Sequence, residues 1–287
     1  MTATNGGYYL PQPSHWPIVG SIGLVTFLAG FAHLIHGGSS LFMLAGAAIL
    51  VFMLFGWFGT VIRESQGGRY NDQVDMSFRW GMGWFIFSEV MFFAAFFGAL
   101  YYARMYSVPW LGGDGNNAMT NELLWPGFEA MWPTNGPGDV GGQFTPMAAW
   151  GIPAINTLIL LSSGVTVTWA HWGLKMNKRG QLILGLAATV VLGFLFLALQ
   201  VHEYGEAYTH LNLTLKSGIY GTTFFMLTGF HGLHVTLGAT MLLVILLRSL
   251  KGHFTPEHHF AFEAVAWYWH FVDVVWLGLF VFVYWLV

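Results

Sequence analysis

Arg79-WGMGWFIFSEVMFFAAFFGALYYA-Arg104 is the stretch that decides the fold of this chain. Between its two arginines the run is apolar apart from Ser88 and Glu89. At 1.5 Å per residue it can cross a hydrocarbon core of about 30 Å with slack for tilt. Glu89 follows Arg79 by ten residues, which predicts a carboxyl about 15 Å deep, near the bilayer midplane. A carboxylate at that depth costs about 3 kcal/mol or more, so Glu89 must be protonated, partnered or beside water.

The rest of the composition agrees with a membrane solvent. Hydrophobic residues make up 55% of the chain, charged residues 8%, and mean hydropathy is +0.59. A soluble domain could not hide that much apolar surface. Cysteine is absent, which excludes disulfides, thiolate metal sites and cysteine nucleophiles. The formal charge is -3 and no Lys/Arg block stands ready to grip a phosphate backbone, so nucleic acid is not expected as a partner. No basic segment precedes the first apolar run, so a cleaved signal peptide is not expected.

Six further apolar runs flank the quoted one. Residues 1–17 form a polar, Gly/Pro-rich segment ending in Trp16-Pro17, where Pro suits a first helical turn and Trp the membrane interface. Spans are predicted at about 18–35 and 41–62, joined tightly to make a two-helix bundle over 18–62. A polar loop is expected at 63–79, and the quoted span opens a five-helix portion over 80–287. After it comes a connection at about 106–152, rich in Gly and Pro and carrying Trp110, Trp125, Trp132 and Trp150. Loops that long are usually functional or docked, and its tryptophans suggest the membrane surface or a partner. The remaining spans are predicted at about 153–173, 181–201, 219–247 and 260–287, with the polar run 202–206 as an exit loop.

Seven spans put the termini on opposite sides. On the N-terminal side lie Arg63, Arg69, Arg79, Lys175, Lys178, Arg179, Arg248 and Lys251; the other side holds Arg104 and Lys216. That asymmetry predicts a cytoplasmic N-terminus and an outward, periplasmic C-terminus.

Several ionisable residues fall inside the spans. His231 and His234 lie three apart on the sixth, and His270 and Asp273 repeat that spacing on the seventh, at depths like that of Glu89. Glu263 lies near the inner end of the seventh. Imidazoles can ligate haem or metal. The preferred reading of these residues is instead a buried polar network, hydrogen-bonded across packed helices. No Glu-x-x-His pair and no CxxCH motif is present, and aromatics rather than small residues surround the histidines. For Glu89 two readings stand: a hydrogen bond to a neighbouring helix, or a proton-handling carboxyl. Its isolation along the span argues against a proton pump made of this chain alone. At the inner ends, Arg63 on one side and Arg248, Lys251 and His253 on the other could bind an anionic lipid headgroup, or simply anchor the spans.

Ordered motifs tie the chain to a known family. VIRES (61–65), FIFSEVMFF (85–93), SGVTVTWAH (163–171), GIYGTTFF (218–225), TGFHGLH (228–234) and HHFAFEAVAWYWHFVDVVW (258–276) together resemble subunit III of the haem–copper oxidases, specifically cytochrome c oxidase subunit III. The resemblance runs from Trp16 onward. It implies an all-α membrane protein of seven transmembrane helices, the first two and the last five forming bundles separated by a V-shaped, lipid-filled cleft. It implies a non-catalytic core subunit without haem, copper or other metal of its own, those belonging to partner subunits I and II. The complex would take electrons from cytochrome c, reduce oxygen and pump protons in a bacterial inner membrane or its mitochondrial equivalent. This subunit would bind structural phospholipids and sustain proton uptake and turnover stability. By motif match, Trp57, Arg63, Arg248, Lys251 and His253 are lipid-contact positions.

Two features depart from the pattern. Phe58-Gly59-Thr60 stands where a polar, arginine-bearing sequence is expected, and the 106–152 connection is longer than in the mitochondrial pattern. Subunit III of a quinol oxidase is the near alternative, although those often lack the first two spans. A stand-alone transporter or proton channel should show broken helices or paired polar repeats, and the sequence has neither.

Overall fold

The computed structural model of the protein describes residues 9–287; residues 1–8 of the expected N-terminal segment lie outside the described residues. Among these the chain is helical without a strand, and seven helices are long and apolar enough to cross a membrane. They are α1 (Trp16–Ile35), α2 (Leu41–Gln66), α3 (Asp72–Leu111), α4 (Ile152–Lys175), α5 (Arg179–Thr209), α6 (Gly218–Leu250) and α7 (Phe260–Trp285). The chain divides into two compact units, one ending at Trp80 and the other running Gly81–Val287, so the division falls within α3.

In the first unit α1 and α2 pack through glycine. A Cβ on Gly30 would overlap the backbone of Phe42 and Met43, and one on Gly46 the backbone of Phe27. Where lipid is as apolar as any side chain, such close approach and the dispersion it gives are what hold two helices together. Trp16 closes the hairpin: its ring blocks any Cβ on Gly56, and its indole N–H donates to Thr60 Oγ1 at 3.3 Å. Gly46→Leu should therefore force the hairpin apart at about 1–3 kcal/mol or more. Limited proteolysis of membranes should then cut between α1 and α2 faster than in the wild type.

The second unit is built around α7. Half of the most apolar stretch of α7 is buried, against about a tenth of that of α3. Trp269 and Trp276 are nearly inaccessible and donate their indole N–H groups to Ser163 Oγ (2.8 Å) and Thr157 Oγ1 (2.9 Å) on α4. A Cβ on Gly193 of α5 or on Gly238 of α6 would come within 2.8 Å of the Trp269 ring.

Several boundaries differ from the sequence expectation. The loop expected at 63–79 shrinks to residues 67–71, because α2 continues to Gln66 and α3 starts at Asp72. Gly67 and Gly68 (φ +65°) stop α2, and Asn71 Oδ1 caps α3 by accepting the Val74 N–H at 3.0 Å. Asp72 and Asp75 in the first turn of α3 favour its positive end. The run 202–206, expected as an exit loop, is helical, since α5 continues to Thr209. At its far end α3 passes through a widened turn at Ala103–Ser107 before Pro109. Pro lacks the N–H a regular turn would use, and the wider turn accommodates that loss.

The long connection, expected on the membrane surface or under a partner, is docked in part on its own unit. Thr145 N–H donates to Leu211 O (2.9 Å), and Asn212 Nδ2 donates to Gly141 O (3.2 Å) and Gln143 O (2.9 Å). Gly218, at φ +59°, admits the backbone of Asn135 where a side chain would collide. The Trp132 ring packs on Tyr220, and Trp150 packs on Phe280 and Trp285.

Candidate functional site

Glu89 has a partner. Its Oε2 lies 2.9 Å from His234 Nε2 on α6, both side chains being mostly buried. His234 Nδ1 lies 2.6 Å from Phe230 O, and since a carbonyl only accepts, Nδ1 carries a proton. On a neutral ring Nε2 is then an acceptor facing a carboxyl oxygen, so one proton must lie between them, on either group. Phe92, Phe93 and Phe271 pack around the imidazole and shield the pair. Glu89's neighbours in sequence offer it nothing to pair with; the partner comes from a helix more than a hundred residues later.

The polar network expected of His231, His234, Glu263, His270 and Asp273 resolves into separate clusters. His231 turns away from His234, its Nε2 donating to Val272 O at 3.2 Å while Phe196 and Trp276 enclose the ring. His270 Nδ1 stands 3.5 Å from Asp273 Oδ2, and His270 Nε2 3.2 Å from Thr168 Oγ1 on α4. Glu263 belongs to a third cluster at the start of α7, where its Oε1 lies 3.2 Å from His259 Nε2 and 3.5 Å from His171 Nε2. Residues three apart on a helix differ by about 60° in direction, so partners on different neighbours separate them.

One buried carboxyl escaped the sequence reading. Glu203 on α5 is fully inaccessible and its Oε1 accepts from Tyr284 Oη (2.6 Å) and Gln200 Nε2 (3.1 Å). The available signal was Gln200-x-x-Glu203-Tyr204, which continues the helical spacing of α5 past its apolar part.

The positions expected to contact lipid lie at or toward the ends of α2 and α6. Arg248 is buried near the end of α6, its guanidinium carbon 4.5 Å from the centre of the Phe254 ring and its Nε without a hydrogen-bond partner. Lys251 caps the helix and is exposed. Partial burial, then the charges of Arg248 and Lys251, press the His253 imidazole below its ordinary value, so near neutral pH it offers hydrogen bonds rather than charge. In the first unit, Arg63 Nη2 donates to Thr60 Oγ1 at 3.1 Å, and Trp57 is half exposed. Thr60, part of the departure from the expected pattern, thus links Arg63 to Trp16.

Comparisons with known proteins bear on what this arrangement serves. The family model described as cytochrome c oxidase subunit III matches residues 6–287. The chain is similar to cytochrome c oxidase subunit 3 of Carassius auratus, with 44% identity over 279 residues covering 97% of this chain and 96% of that protein. It is similar to the protein of the same name from Gadus morhua, with 42% identity over 286 residues covering 99% of each.

Proposed function

The chain belongs to the cytochrome c oxidase subunit III family, and from that premise we propose that it is the non-catalytic, phospholipid-binding subunit of an aerobic respiratory oxidase. Family membership makes it a multi-pass membrane protein of an oxidase complex, associated with other oxidase subunits. The proposal adds that subunits I and II are its neighbours and hold the haem and copper, and that cytochrome c supplies electrons to the complex. It adds that the N-terminus is cytoplasmic and the membrane a bacterial inner membrane or its mitochondrial equivalent. On this reading the subunit sustains proton uptake and turnover of the catalytic subunit.

The observation that carries the reading is a family match along nearly the whole chain. The packing is consistent with it. His234 uses both ring nitrogens within the chain, and aromatic rings fill the space beside His231 where a macrocycle would need room. Arg248, Lys251 and His253 are proposed as headgroup contacts of the second unit, and Trp57 and Arg63 as lipid contacts of the first.

Purification through a tag on this chain tests both parts. Haem-bearing subunits should accompany the tagged chain in fixed ratio, and native mass spectrometry should find phospholipid retained with them. Arg248→Ala should lower that retention several-fold, since a basic residue near a headgroup contributes about 1 kcal/mol and Arg248 is held in place by Phe254. A tagged chain isolated without haem-bearing partners would overturn the assignment. Unchanged lipid occupancy in Arg248→Ala would remove Arg248 from the lipid site.

A further inference from the structure

We propose that His171, His259 and Glu263 form a binding site for a zinc ion, at the end of α4 and α7 remote from the 112–151 connection. Three donor atoms, one from each residue, lie within 4.8 Å of one another. Zn–N and Zn–O bonds of 2.0–2.1 Å in a tetrahedron place neighbouring ligand atoms about 3.3 Å apart. Glu263 Oε1 lies 3.2 Å from His259 Nε2 and 3.5 Å from His171 Nε2. Two edges of the tetrahedron are therefore already at length.

Hydrogen bonding prepares the same atoms. His259 Nδ1 lies 3.1 Å from Thr255 O, so the proton of a neutral ring belongs on Nδ1 and the lone pair on Nε2. A carbonyl fixing the far nitrogen of an imidazole is the usual outer support of a ligating histidine. His259 is 9% exposed, yet its Nε2 and the buried Nε2 of His171 have no hydrogen-bond partner. Both nitrogens face a Glu263 oxygen at 3.2–3.5 Å, and on His259, whose proton the Thr255 carbonyl holds on Nδ1, the Nε2 lone pair points at the lone pairs of that oxygen. A cation between them removes that repulsion. An edge-on contact with His259 and a tilted contact with Phe262 keep the His171 ring in place.

The donor set selects the metal. Two imidazoles and one carboxylate suit Zn2+, whereas Mg2+ and Ca2+ prefer oxygen throughout. Three protein ligands leave the fourth position for water or a donor from a neighbouring subunit. Charge nearby is mixed. Lys175 lies within electrostatic reach of His171 and opposes a cation, while the C-terminal end of α4 presents its negative pole to this site.

The test uses the complex purified through a tag on this chain, stripped with a chelator and titrated with zinc chloride. Bound metal is counted by mass spectrometry of the ions, and coordination is read by zinc X-ray absorption. The wild type should retain one more tightly bound zinc than the double variant His171→Gln/His259→Gln, with two imidazoles and oxygen in its first shell. A hundredfold excess of Mg2+ should not displace that ion. Equal zinc in the two proteins overturns the site and leaves a shared proton between Glu263 and the histidines. Should the double variant fail to assemble, Lys175→Gln decides. Removing the opposing charge should tighten zinc binding about threefold or more, and an unchanged dissociation constant overturns the proposal.

Discussion

Glu89→Gln should leave the oxidase assembled, with its haem spectrum intact and most of its oxygen consumption retained. Glu89→Ala should lose the greater part of its turnover stability. The difference follows from what each substitution leaves facing His234. A glutamine amide donates to the same Nε2 that the carboxyl faces at 2.9 Å, so both partners stay satisfied without the proton that the acid pair requires. Alanine removes that partner inside the membrane, orphaning the imidazole at about 1–3 kcal/mol, and leaves a gap among Phe92, Phe93 and Phe271. His234→Leu should resemble Glu89→Ala, because it strands the carboxyl instead. The decisive measurement is oxygen consumption by assembled Glu89→Gln complex over repeated turnovers. If that complex carries its haem yet is inactive, Glu89 is an obligatory proton carrier and the supporting role proposed for this subunit is wrong.

How far the sequence can be read is seen in the same pair. Glu89 announces itself because a carboxyl inside an apolar run has few physical explanations. His234 is equally visible, but its partner is not. Which way α6 turns its histidines depends on how α3 and α7 pack against it, and spacing within α6 carries no such information. The seven apolar runs are legible because a bilayer demands them, whereas their ends are not. Helices longer than the hydrocarbon core continue into polar sequence, so 63–66 and 202–206 read as loops and fold as helix. Glu203 was missed in that way. His171 and the pair His259 and Glu263 lie far apart in the chain, and only packing of α4 beside α7 brings their donor atoms together. Ser163, Gly193 and Gly238 stand on three different helices, and nothing in their spacing shows that the Trp269 ring is what all three meet.

Trp269→Ala should destabilise the second unit more than any other single truncation within it. The ring is completely buried and stands at the meeting of four helices. It belongs to α7, donates to Ser163 on α4, and lies where a Cβ on Gly193 of α5 or Gly238 of α6 would come within 2.8 Å of it. In lipid the transfer of apolar surface contributes little, since the unpacked helix would face hydrocarbon rather than water. What remains is the cavity, whose walls forfeit their dispersion attraction to the ring, and the Ser163 hydroxyl left without its donor. Those parts amount to about 2–4 kcal/mol. Ser163→Ala should cost about 1–2 kcal/mol, because it leaves the ring in place and orphans only the indole N–H. Gly238→Ala should cost about 1–3 kcal/mol by pushing the ring from its seat, and much of that penalty should vanish when combined with Trp269→Phe. Trp84→Ala supplies the control, since Trp84 is 65% exposed and its loss should change little. Thermal inactivation of the purified complex, together with the amount of this chain retained in it, gives the ranking. A Trp269→Ala complex as heat-resistant as Trp84→Ala would mean that the four helices hold together without the ring, with the glycine contacts between α4 and α5 carrying the packing instead.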